Sequence, residues 1–126
     1  MRQLLVALIV GTSVVSPRAP STAGAQTVTG KLVDAACYKM DKSNIAVDHR
    51  MPRGSEKNCA IECARTGFPV ALLTSDGKLY IVTGALSVNK NAALISHMGH
   101  AVTLTGDVTE GVGTMTIGAT QLSVSK

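Results

Sequence analysis

Val70-Ala71-Leu72-Leu73-Thr74-Ser75-Asp76-Gly77-Lys78-Leu79-Tyr80-Ile81-Val82-Thr83 is the stretch on which the fold turns. Two apolar runs rich in β-forming residues flank Ser75-Asp76-Gly77. An Asp-Gly pair supplies the positive backbone angles that a tight hairpin wants, so the segment predicts two antiparallel strands. Working outward on the C-terminal side, Gly84 to Asn91 reads as a loop and Ala92 to Met98 as a short helix closed by Gly99. Ala101 to Val108 alternates and predicts a strand, Gly111-Val112-Gly113 turns it, and Thr114 to Val124 predicts the returning strand.

On the N-terminal side, Phe68-Pro69 breaks the chain after Glu56-Lys57-Asn58-Cys59-Ala60-Ile61-Glu62-Cys63-Ala64-Arg65-Thr66-Gly67. Ser55 as N-cap, Glu56 at the positive end and Gly67 as the stop predict a helix over Glu56–Thr66. Cys59 and Cys63 would lie one turn apart on it, with Cβ atoms roughly 5–6 Å from each other. A disulfide wants about 4 Å, so the intact helix keeps these two from bridging each other. Upstream, the charged and aperiodic Lys39 to Gly54 reads as a long surface loop, and Val28 to Asp34 as the first strand. Five strands with a short helix between the third and fourth is the order of the oligonucleotide/oligosaccharide-binding (OB) barrel. The expected fold is therefore mainly β: a small five-stranded OB-like barrel. Its cysteine helix is inserted between strands one and two.

Residues 1–25 read as a signal peptide: Arg2 forms the basic end, Leu4 to Val15 the apolar core, and Ala23-Gly24-Ala25 the cleavage signature. The apolar run is shorter than the ~20 residues a membrane helix needs, so no membrane span is expected after cleavage. Residues 26–126 then form one domain, exported to the periplasm or the extracellular space. The formal charge is +4, and losing Arg2 and Arg18 would lower it to +2. No run of like charge remains, and Tyr38, Phe68 and Tyr80 are the sole aromatics. Nucleic-acid binding, which needs a basic groove and stacking rings, is not expected. Neither a Gly-x-Ser-x-Gly elbow nor a phosphate loop is present, and no catalytic residues are inferred.

Cys37, Cys59 and Cys63 carry the chemistry that the sequence offers. One expectation is a structural disulfide of Cys37 with Cys59 or Cys63, needing no cofactor. It closes a loop of some two dozen residues and contributes roughly 3 kcal/mol. The leftover thiol would be buried or would link two chains as a disulfide dimer. On that view the protein is a stapled binding or envelope module for a small ligand or an envelope protein. The alternative is a metal site, copper or zinc, in which the three thiolates are joined by His49, His97 or His100. Met40, Met51 and Met98 add thioethers. A thiol–disulfide redox role is the third possibility, although the tight Cys-x-x-Cys spacing is missing.

Asp34-Ala35-Ala36-Cys37-Tyr38, Cys59-Ala60-Ile61-Glu62-Cys63, Gly67-Phe68-Pro69-Val70, the Asp76-Gly77 hairpin and Val102-Thr103-Leu104-Thr105-Gly106 together resemble a group of small exported bacterial domains. The group is similar to the bacterial OB-fold periplasmic proteins. The resemblance spans nearly all of residues 26–126 and implies the barrel and export; it implies no activity. Members of the group often carry a histidine just before the paired cysteines. Here Lys57-Asn58 holds that place, and the nearest upstream histidine is His49.

Overall fold

The computed structural model describes residues 24–124; the expected signal peptide thus lies almost wholly outside the described residues. Five strands build one sheet: β1 (Gln26–Asp34), β4 (Val70–Leu73), β5 (Leu79–Thr83), β6 (Ala101–Gly111) and β7 (Thr114–Ser123). β1 pairs antiparallel with both β4 and β6, β4 with β5, and β6 with β7, while β5 runs parallel to β7. The pairings therefore return to β1 and close a ring in the order β1-β4-β5-β7-β6. It is an uneven ring. Gln26–Lys31 face β6 and Lys31–Asp34 face β4, so a single strand divides itself between two neighbours.

Two glycines permit this closure. A Cβ on Gly30 would strike the Leu73 carbonyl, just where β1 changes partner. A Cβ on Gly106 would strike the Gly118 carbonyl, beside the irregularity at Thr105/Gly106 in the β6–β7 ladder. Glycine at such places marks a bend where two backbones approach closely.

Alternation along the strands sorts side chains to two faces. Leu32, Val70, Leu72, Tyr80, Val82, Val102, Leu104, Ile117 and Ala119 belong to one core inside the ring. The opposite face of β1, β4 and β5 is not left to water. Val33 and Ala71 are buried there with Ala35, against Tyr38, Ile45, Leu73, Leu79 and Ile81. Burial on both faces explains why Val70-Ala71-Leu72-Leu73 is apolar without interruption.

The cover on that outer face comes from the segment expected to be a surface loop. It is structured: α1 (Ala35–Met40) follows β1 directly, and β2 (His49–Met51) pairs with β3 (Gly54–Glu56) in a small hairpin. Its aperiodic sequence misled because Asn44 and His49, both buried, do polar rather than apolar packing. The cysteine helix α2 is also shorter than expected, Cys59–Arg65. Ser55 and Glu56 lie opposite Arg50 and His49 in the hairpin ladder, so neither is free to start a helix. Asn58, at φ 54°, makes the turn instead and leaves Cys59 as the first helical residue.

The β4–β5 hairpin is as expected, with Gly77 at φ 85°. The expected helix over Ala92–Met98 is replaced by a turn, α3 (Val88–Asn91), and a single 3₁₀ turn over Ile95–His97. Asn89, Lys90 and Asn91 all have positive φ. That left-handed turn presents the buried Asn91 amide to α2, where its nitrogen donates to the carbonyls of Ala64 (3.0 Å) and Phe68 (2.9 Å). Two backbone acceptors at the end of the cysteine helix are thereby satisfied. Among the described residues no helix is long and apolar enough to cross a membrane.

Gly106→Ala should destabilise the fold by about 1–3 kcal/mol, the usual cost of forcing an extra methyl into a filled space. Urea unfolding of the variant against the parent reads this directly; an unchanged midpoint would mean that the ring closes without the close approach.

Candidate metal centre

The site grows from the end of β1. Asp34 is 2% exposed, and its Oδ1 accepts a hydrogen bond from the Cys37 backbone N–H at 2.9 Å, capping α1. This cap starts the helix immediately after the strand and turns Cys37 into the protein. Asn44 then stitches that helix to the hairpin. Its amide nitrogen donates to the carbonyls of Cys37 (3.3 Å) and Arg50 (3.1 Å), while its oxygen accepts from the Arg50 N–H at 2.7 Å. On the other side, Asp48 Oδ1 accepts from the Asn58 N–H at 2.8 Å, and the Val47 carbonyl accepts from the Ala60 N–H at 3.0 Å. The start of α2 is thus tied to the chain that leads into β2.

These ties bring the three cysteines together. The Sγ atoms of Cys37, Cys59 and Cys63 all lie within 4.8 Å of one another. Cys37 and Cys59 are buried and Cys63 is half-buried. All three are present as free thiols. A second group shares Cys37: Asp34, Cys37 and His49 also place ligand atoms within 4.8 Å of one another.

His49 is 1% exposed and its surroundings are unusual. Nε2 lies 3.1 Å from the Ala46 carbonyl, an acceptor, so the ring proton belongs on Nε2. That leaves Nδ1 with a free lone pair. Nδ1 is the single buried side-chain nitrogen or oxygen without a hydrogen-bond partner among the described residues. Buried polar atoms are otherwise almost always satisfied, so an orphan on a ring clustered with Asp34 and Cys37 asks for a ligand. His97 and His100, the other expected ligands, stand apart. They flank Met98 near the start of β6, half-buried and exposed, and neither joins a cluster. Met98 is buried in the core, while Met40 and Met51 line an open hollow with Asp41, Arg50 and Ser55.

Electrostatics favour the protonated thiols. Burial, then the negative charge of Asp34 and the neighbouring Cys59, pushes the Cys37 thiol up to about 12. Burial pushes Cys63 up as well, with Asp34 the next cause. Cys59 is raised by burial and by the Glu56 carboxylate. Thiol exchange proceeds through the thiolate, so these surroundings oppose the redox expectation in the metal-free protein. A cation placed among the sulfurs reverses the balance, because coordination removes the thiol proton.

Asp34-x-x-Cys37 has the spacing of a helix start, a signal masked in the sequence by the strand pattern of Val28 to Asp34 that runs straight into it. Asn44 carried no signal at all. A lone asparagine in a charged stretch looks solvated until the tertiary fold buries it. No known protein family, curated protein or solved structure matches this chain.

In the reduced, metal-free protein, alkylation of Cys37 at pH 8 should be at least about 100-fold slower than in urea, since the raised value keeps the thiol protonated as pH rises through the ordinary cysteine range. Iodoacetamide labelling followed by peptide mass spectrometry measures this. Equal rates in the folded and unfolded states would contradict the burial described.

Proposed function

We propose that the protein is an exported, single-domain OB-type barrel that holds one soft metal ion, copper or zinc, through Cys37, Cys59 and Cys63. The observation that carries this is the meeting of three sulfurs, contributed by two separate helices, within 4.8 Å of one another. Thiolates bind zinc and Cu(I) in preference to hard ions such as magnesium or calcium. Two of the sulfurs are shut away from water, and half-buried Cys63 offers the way in. Supporting the OB assignment are the strand order, the parallel β5–β7 pair that closes the ring, and the insertion of the cysteine helix between β1 and β4. Binding of nucleic acid is no part of this reading.

The same proximity supports a second reading, the stapled binding module for a small ligand or envelope protein. Cys37 has both helix sulfurs close by, so oxidation would join it to Cys59 or Cys63 and strand the third thiol. The two readings differ in what the protein does when reduced. A metal bound at 100 times its Kd adds about 2.7 kcal/mol. For a domain of this size that is a rise in Tm on the order of 10–20 °C. Differential scanning calorimetry of the reduced protein with Zn(II), and under argon with Cu(I), tests it, with Cys37→Ser as the control that abolishes the rise. A Tm that ignores both ions, with one titratable thiol left after air oxidation, would sink the metal centre and leave the staple.

A further inference from the structure

We infer that His49, through Nδ1, is the fourth ligand of this centre, which makes it a four-coordinate sulfur-rich site for a divalent ion of the zinc class rather than a three-thiolate Cu(I) site. The inference rests on the metal reading above and adds to it the identity of the nitrogen ligand and the charge of the ion.

Three features converge. The Nε2 contact with the Ala46 carbonyl, at 3.1 Å, fixes the tautomer and the plane of the ring. Histidines that bind metals commonly show this arrangement, one nitrogen donating to a carbonyl and the other presenting its lone pair to the ion. Next, Nδ1 is buried and has no partner among the described residues, although the rest of the buried polar side chains in its neighbourhood are satisfied. Finally, the ring shares its cluster with Cys37, the sulfur common to both groups of candidate ligands. The hairpin register places His49 opposite Glu56, and the imidazole lies in the cluster with Asp34 and Cys37, on the α1 side of the site.

Charge selects the ion. Three thiolates around a monovalent ion leave two negative charges in a place that also holds the buried Asp34 carboxylate. A divalent ion leaves one, and a neutral imidazole adds none. Since uncompensated charge in the interior is costly, the divalent ion is the better fit. Asp34 is the competing fourth ligand, but its Oδ1 already caps α1 at the Cys37 N–H.

Co(II), added to the reduced protein under argon, is the probe. Expected are the intense visible bands of tetrahedral Co(II) with thiolate charge transfer, displaced by Zn(II). His49→Gln should shift those bands and weaken Co(II) by at least roughly 10–100-fold, the loss that even an outer partner of a metal ligand brings. In the parent protein, the nitrogen NMR resonance of His49 Nδ1 should move when Zn(II) binds, a readout that does not depend on how well the variant folds. If Co(II) and Zn(II) bind but the Nδ1 resonance stays put and the His49→Gln spectrum matches the parent, the histidine assignment is overturned and the three-cysteine reading survives. A spectrum that moves with Asp34→Asn and not with His49→Gln overturns it in favour of the carboxylate. Tight Cu(I) binding with no Co(II) or Zn(II) binding overturns the divalent ion, and failure to bind any of the three ions removes the metal reading itself.

Discussion

The hydrogen bond from the Cys37 N–H to the Asp34 carboxylate joins the architecture to the chemistry. Asp34 is the last residue of β1, still paired with Val70 of β4, and simultaneously the cap of the helix that carries Cys37. One residue earlier Val33 packs on the outer face, and one before that Leu32 fills the interior of the ring. Three successive residues therefore serve the core, the outer layer and the site. A carboxylate buried this deeply is tolerated because backbone N–H donation satisfies it. Moving the strand end by one position would put Val33 inside, Leu32 outside and the cysteine away from its partners.

The excursion between β1 and β4 looks like an insertion, yet it performs two structural tasks. Tyr38 and Ile45 seal the outer face of the β1-β4-β5 sheet, and Ala60 and Ala64 of α2 enter the interior core beside Leu94 and Met98. Small alanines on α2 allow the helix to approach closely, which is what brings Cys59 and Cys63 up to Cys37. The sulfurs meet because the helix packs. Polar side chains then hold the excursion in place: Asn44 between α1 and β2, Asp48 at the turn into α2, and Asn91 at its far end. Asn44 and Asn91 act on backbone groups that would otherwise be buried without partners.

Much of the sheet was legible in the residues. The Asp76-Gly77 turn, the alternation of Ala101 to Val108 and the glycine turn before Thr114 named four of the five strands, since each signal is local. The cysteine trio was legible too, from its spacing. The interrupted excursion was not. His49 was only one of three histidines with equal claim, because nothing in its neighbourhood announces that Ala46 will hold one ring nitrogen and that the ring will cluster with Asp34 and Cys37. Likewise the Ser55-Glu56 helix start failed for a reason outside its own window, the pairing of those residues with β2.

Residue order by itself determined the strand count in the main sheet, the hairpin, and which sulfurs were available, because turn chemistry, alternation and cysteine spacing act over a few positions at a time. Tertiary structure alone decided which histidine lies beside Cys37, why Val70–Leu73 is apolar on both sides, and that an asparagine and an aspartate in a charged stretch are structural. Those outcomes depend on which backbone groups are left unpaired once β1, α1 and α2 have packed, a property that no local window contains.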